Sequence, residues 1–121
     1  MPIETLVDGQ VLGGLAHGVG NALYERMEYD AGAQPQTTTL ADYLVPSACE
    51  VPFVEISHQV SPTPSNPLGV KGVGESGTVP AAAVLVSAIE DALAPFGVTI
   101  AETPIMPDRL VELIAEGRGA G

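Results

Sequence analysis

The chain has 121 residues with 15 acidic and 4 basic side chains, a formal net charge of −11, and 45% hydrophobic against 16% charged residues. One domain at most fits that length, and the apolar fraction excludes a disordered acidic tail, in which too little surface could be buried to offset chain entropy. So few cations exclude nucleic acid as a partner, no apolar run approaches the ~18 to 20 residues of a membrane span, and a start without a secretory pattern beside the single Cys49 leads us to expect a cytoplasmic protein without disulfides.

The first predicted element runs from Asp8 to about Met27, where Val11, Leu12, Leu15, Ala16, Val19, Ala22, Leu23 and Met27 recur at helical spacing, with Asp8 as candidate N-cap. Gly13, Gly14, Gly18 and Gly20 lie inside this helix, each costing roughly 1 kcal/mol relative to Ala. Two accounts stand side by side: close packing against another element, or backbone approach to a ligand. Glu28 to Gln36 reads as a short strand entering a turn at Asp30, Gly32 and Pro35. Residues 37–52 have no clean period and read as loop. Phe53 to Val60 alternates Val54, Ile56, His58 and Val60 against Phe53, Glu55, Ser57 and Gln59, the pattern of a strand with one buried face. An eighteen-residue Pro-rich and Gly-rich loop follows over residues 61–78. The second helix is predicted from Val79 to about Ala94, with Thr78 as cap, Pro80 in its first turn, and Val84, Leu85, Ala88, Ile89, Ala92 and Leu93 on one stripe. Val98 to Met106 reads as a further strand, Pro107 to Glu116 as a short helix, and residues 117–121 as a flexible tail. Helices and strands in that order give an α+β class, with residues 1–121 as a single partial domain.

Within the long loop, Gly72-Val73-Gly74-Glu75-Ser76-Gly77 matches GxGxxG and opens a helix. Its context argues against a dinucleotide: SPTPSNPLG precedes it instead of a strand, and Glu75 would set a negative charge where a pyrophosphate should sit. What remains is one carboxylate presented by glycines. Either Glu75 caps the helix and pairs with Lys71, or it works as a base beside a ligand that the glycines allow to approach. His17 and His58 lack metal-ligand spacing and Cys49 is alone, so no metal bound directly by protein side chains is expected.

Three blocks, GQVLGGLAHGVGNALYE (Gly9 to Glu25), DYLVPSA (Asp42 to Ala48) and NPLGVKGVGESG (Asn66 to Gly77), stand in the order and spacing of the C-terminal part of the molybdenum-binding large subunit of the xanthine dehydrogenase, aldehyde oxidase and aerobic carbon monoxide dehydrogenase family. The chain resembles that part from about Thr5 to Leu113. The resemblance implies a partial molybdopterin-binding domain and a molybdenum pyranopterin cofactor. It also implies Glu75 as general base in the hydroxylation of an aldehyde or N-heterocycle, Gln10 as a pterin contact, and Gly72, Val73 and Gly74 as the residues that position Glu75. His17 departs from the family, which usually has glutamine there. Partners implied by the resemblance are the remainder of the molybdenum-binding subunit and subunits or domains carrying iron–sulfur clusters and FAD. The alternative is a non-catalytic fragment or partner-binding module that keeps the scaffold.

Overall fold

The computed structural model describes residues 3–119, which form three α-helices and a short 3-10 turn: α1 (Ile3–Leu23), α2 (Ala81–Ala92), the turn (Ala94–Phe96) and α3 (Pro107–Gly119). No strand occurs among the described residues, and the one β-bridge joins Tyr29 to Pro35. The expected α+β class is therefore corrected to helices joined by long irregular segments.

Each missing strand has an identifiable reason. Around Asp30 the chain folds back on itself, but the Asp30 carboxylate accepts the Gly32 and Gln34 N–H groups (2.8 and 3.0 Å), and Pro35 has no N–H to continue a ladder. Between Val98 and Met106 the backbone bonds to helices instead of to another strand. Ile100 N–H donates to Glu90 Oε1 (2.7 Å) and Ile105 N–H to the Ala22 carbonyl (2.6 Å), so this segment straps α2 to the end of α1. Phe53 to Val60 finds no backbone partner among the described residues.

α1 starts five residues before the predicted Asp8, which lies inside the helix, and its carboxylate meets His58 Nε2 at 2.7 Å. The buried face of α1 takes in only part of the predicted stripe. Val19 and Ala22 are buried, together with Gly14, Gly18 and Gly20, whereas Leu12 and Met27 are exposed. Small residues face inward because the 77–81 segment crosses α1 at backbone distance. A methyl built on Gly14 would lie 2.6 Å from Thr78 N, one on Gly18 would overlap Ala81 Cβ, and one on Gly77 would overlap the Val11 carbonyl oxygen. The glycines thus exchange helix propensity for close contact, and α1 and α2 meet here.

α2 begins after Pro80 with no side-chain cap, so Thr78 does not take the role expected of it; its buried residue is Ala81, and no residue of the predicted stripe is buried. Gly97, at φ 63°, supplies the left-handed conformation that ends the 3-10 turn. α3 packs against that turn, with Arg118 stacked over the Phe96 ring at 5.0 Å, and Arg109 pairs with Glu112 and Glu116 at 2.9 and 3.3 Å. Residues 117–119 of the expected tail are helical, and 120–121 lie outside the described residues.

The core is thin. Its buried hydrophobic residues are Val19, Ala22, Ala81, Val98 and Ile105, and the chain exposes 8739 Å². A compact monomer of this mass exposes about 6,100 Å². No helix among the described residues is long and apolar enough to cross a membrane.

Candidate active-site wall

The approach of α1 to the 77–81 segment also sets the geometry of the loop before it. Asn66 organises the loop's first half: its Oδ1 accepts the Leu68 and Val70 N–H groups (both 3.1 Å) and its Nδ2 donates to the Val70 carbonyl (2.9 Å). Gly69, at φ 65°, closes this turn. Downstream, Ser76 N–H and Oγ both donate to the Val73 carbonyl (3.2 and 2.8 Å), and the Glu75 carbonyl accepts Thr78 and Val79 N–H (3.0 and 3.2 Å). Consecutive turns therefore present the Glu75 side chain beside α1, just where Gly14 and Gly77 let the two backbones touch.

An open concavity of about 320 Å³ results, lined by Gln10, Gly13, Gly14 and His17 from α1 and by Gly74, Glu75 and Thr78 from the loop. Gln10, Gly13, Gly14 and His17 share one helical face because their spacings of three, four and seven residues match whole turns. Gly13 and Gly74 have open space where a Cβ would project. Gln10, His17 and Glu75 are all solvent-exposed. Among the described residues the Glu75 carboxylate has no ion-pair or side-chain hydrogen-bond partner, so its expected alternative, pairing with Lys71 and capping α2, is not what the structure shows.

Of the residues singled out in the sequence, Gln10, Gly74 and Glu75 are brought together. Gln10 stands in the interior of α1. Val73 turns the other way, into a neighbouring concavity of about 550 Å³ with Val11, His58, Lys71 and Ser76, and Gly72 lies in neither wall. Lys71 is thereby directed away from Glu75. Gly13 and His17 were not assigned to the site by sequence reasoning. The signal that finds them is the helical period counted from Gln10, which places position 17 two turns on along the same face.

A third concavity, of about 600 Å³, lies between the end of α1 and the start of α3 and is lined by Glu25, Arg26, Tyr43, Glu102 and Arg109 among others. There Tyr43 Oη donates to Glu25 Oε2 (2.6 Å), which holds the phenol above its usual range, with desolvation adding to the effect. This bond ties the DYLVPSA block to the segment that follows α1. It shares no residue with the Gln10–Glu75 wall.

The chain is similar to several known proteins. The molybdopterin cofactor-binding domain family matches residues 4–52. The nicotine 6-hydroxylase large subunit of Paenarthrobacter nicotinovorans is 40% identical over 107 residues, covering 88% of this chain and 13% of the relative. The 6-hydroxypseudooxynicotine dehydrogenase complex subunit gamma of the same organism is 43% identical over 103 residues, covering 84% and 13%. Among solved structures, quinoline 2-oxidoreductase from Pseudomonas putida 86 superposes with a TM-score of 0.90 at 43% identity, covering 93% of this chain and 14% of that one. The chain thus spans about an eighth of the length of the curated relatives it matches.

Proposed function

Because the chain belongs to the molybdopterin-binding large-subunit family, of which it spans one segment, we propose that it forms one wall of a molybdenum hydroxylase active site completed by the rest of that subunit. The observation that carries this reading is convergence: Gln10 and Glu75, from two separate sequence blocks, share one glycine-lined concavity. The donor set suits a pyranopterin. An amide such as that of Gln10 both donates and accepts, as a pterin edge requires, and an imidazole can do the same. Gly13 and Gly74 leave space where any larger residue would project a side chain. Gln10 would hold the cofactor, with His17 beside it.

When bound, the molybdenum pyranopterin supplies the oxidising centre that accepts two electrons from the substrate. Glu75 acts as general base: its carboxylate has no ion-pair or side-chain hydrogen-bond partner among the described residues, its backbone is held by the hydrogen-bonded turn at Val73 to Val79, and it lines the same concavity as Gln10, so it can take a proton from the attacking oxygen as the new bond forms. Gly74 positions it there by keeping the approach open, and Gly72 and Val73 shape the turn from behind. The iron–sulfur clusters and FAD that the family resemblance implies would be carried by partner subunits or domains. The substrate we assign is an electron-poor N-heterocycle, with an aldehyde as the alternative; two of the relatives are named for nicotine and quinoline. A cytoplasmic setting fits the exposed free Cys49.

Substitution of Glu75 by Gln in the assembled enzyme tests the assignment. Turnover should fall by roughly 10²- to 10⁴-fold, the usual contribution of a positioned base, with molybdenum and pterin content unchanged. Gln10→Ala should instead lower pterin content. Unchanged turnover in Glu75→Gln would refute the role given to this residue.

A further inference from the structure

The backbone contact that shapes the Gln10–Glu75 wall also places His17. Gly14 meets Gly77 and Thr78 at backbone distance, and Glu75 is pinned to that contact because its carbonyl accepts the Thr78 N–H at 3.0 Å. Gln10 stands one turn before Gly14 and His17 one turn after it, about 10 Å apart along the helix axis. The two side chains therefore flank the place where the Glu75 turn reaches α1, and all three line one concavity. The chain's two histidines differ in what holds them. His58 Nε2 lies 2.7 Å from the Asp8 carboxylate and lines the neighbouring concavity, whereas His17 has no hydrogen-bond or ion-pair partner among the described residues. Among those residues, Glu75 is also the one other charged or titratable side chain that lines its concavity. Glu4 and Lys71 line the neighbouring one, Asp8 is bonded to His58, and the first charged residue of α2, Glu90, is bonded to Ile100 N–H.

We propose that His17 is the outlet through which Glu75 loses the proton it takes in each turnover. The inference rests on the role proposed for Glu75 and adds a residue that acts through it, without touching substrate. A base that gains a proton must release it before it can work again. Lys71 offers only donors, and an amide such as that of Gln10 hydrogen-bonds without taking up a proton, but a neutral imidazole accepts on one nitrogen and donates from the other. In the step, the Glu75 O–H bond breaks and leaves its electron pair on the carboxylate, an N–H bond forms on His17, and the imidazolium gives the proton on its other nitrogen to water. Charge and electrons balance without a further reactant. The concavity of about 320 Å³ has room for a water, which takes about 30 Å³ in the liquid, so transfer runs directly or through one water.

The test uses His17→Gln in the assembled enzyme, since the amide keeps hydrogen-bonding groups but carries no proton. His17 is exposed, so the change leaves the packing of α1 intact. Steady-state kcat should fall about tenfold, less than for loss of the base itself because water carries the proton more slowly. KM, molybdenum content and pterin content should be unchanged. In a single turnover, substrate oxidation should keep its rate while proton release to a pH-indicator dye lags behind it. Imidazole added to His17→Ala should restore part of the lost kcat. Combined with Glu75→Gln, His17→Gln should lower turnover no further, because a residue that acts through Glu75 has nothing to act on once that carboxyl is gone. Proton release in step with oxidation in His17→Gln, or a full additive loss in the double variant, would overturn the relay. So would a fall in pterin content, which would make His17 a cofactor contact. Each of these leaves the loss of turnover in Glu75→Gln in place, whereas unchanged turnover in Glu75→Gln removes the base and the outlet together.

Discussion

Gly13 and Gly14 are adjacent in α1, yet the structure predicts opposite results for the same substitution. At Gly14 an added methyl would lie 2.6 Å from Thr78 N, 2.7 Å from the Gly77 carbonyl carbon and 2.8 Å from Gly77 Cα. All three are backbone atoms, so no flexible side chain can swing aside. Carbon contacts are comfortable at about 3.5 to 4 Å, so α1 and the 77–81 segment must part by roughly 1 Å. Such overpacking costs about 1 to 3 kcal/mol, and a rigid backbone contact belongs at the upper end. The gain in helix propensity from Gly to Ala offsets about 1 kcal/mol, leaving Gly14→Ala destabilised by about 2 kcal/mol. Gly13 has nothing within 4 Å of its would-be Cβ, so Gly13→Ala keeps the propensity gain of up to about 1 kcal/mol. At roughly 4 °C per kcal/mol for a chain of this size, thermal denaturation followed by circular dichroism should show Gly14→Ala about 8 °C below the parent and Gly13→Ala up to about 4 °C above it. Gly13→Ala should nevertheless lower pterin content in the assembled enzyme, because its methyl enters the Gln10–Glu75 concavity. A Gly14→Ala protein as stable as the parent would refute the claim that helix contact, and not ligand approach, explains that glycine.

Two pH effects follow from named hydrogen bonds. The Thr39 hydroxyl (2.8 Å) and nearby backbone amides hold Asp42 below the usual carboxylate range, and the Ser47 hydroxyl and N–H do the same for Glu50. Both pKa values are depressed on folding, so their stabilisation is present above the unfolded values near pH 4 and is lost as pH falls through the folded ones; Thr39→Val with Ser47→Ala should flatten the acid limb of a stability–pH curve. Tyr43 behaves with the opposite sign. Its folded pKa is raised, first by the hydrogen bond to Glu25, so its contribution is present below about pH 10 and fades as pH rises through the folded value. Tyr43→Phe should be less stable than the parent at neutral pH and lose less on further alkalinisation, as measured by urea denaturation at each pH.

The helices were legible because long periodic segments state their own conformation. α2 and α3 appear within a few residues of their expected limits, α2 ending before Pro95 and Gly97 and α3 beginning at Pro107. The buried faces were less legible. Hydropathy directs attention to Leu12 and Val84, both exposed, while the inward face of α1 is carried by Gly14 and Gly18, which have no hydropathy to detect. The site was readable in part. The sequence blocks singled out Gln10, Gly74 and Glu75, and the structure gathers these three, but Val73 and Gly72 look elsewhere because the turn at Val73 reverses the chain. His17 was visible only as a departure from a family pattern until the helix placed it beside Gln10.

The three absent strands and the five-residue core express one physical circumstance. Alternation in a sequence records that one face of a segment is to be buried; it says nothing about which backbone will satisfy the N–H and C=O groups along its edges. For Val98–Met106 those groups found Glu90 and Ala22, and for Glu28–Gln36 they found Asp30, so both segments settled as straps and turns. Phe53–Val60 found nothing equivalent within the chain, and its exposed Phe53 shows the same deficit in apolar burial that leaves Leu40, Leu68 and Val79 exposed elsewhere. A segment whose pattern was selected in a larger fold keeps that pattern when its neighbours lie outside these residues. Exposed apolar surface and unpaired backbone should therefore disappear together on assembly. The Gln10–Glu75 wall depends least on assembly, because it is set by the backbone contact of Gly14 with Gly77 and Thr78, which the chain makes for itself.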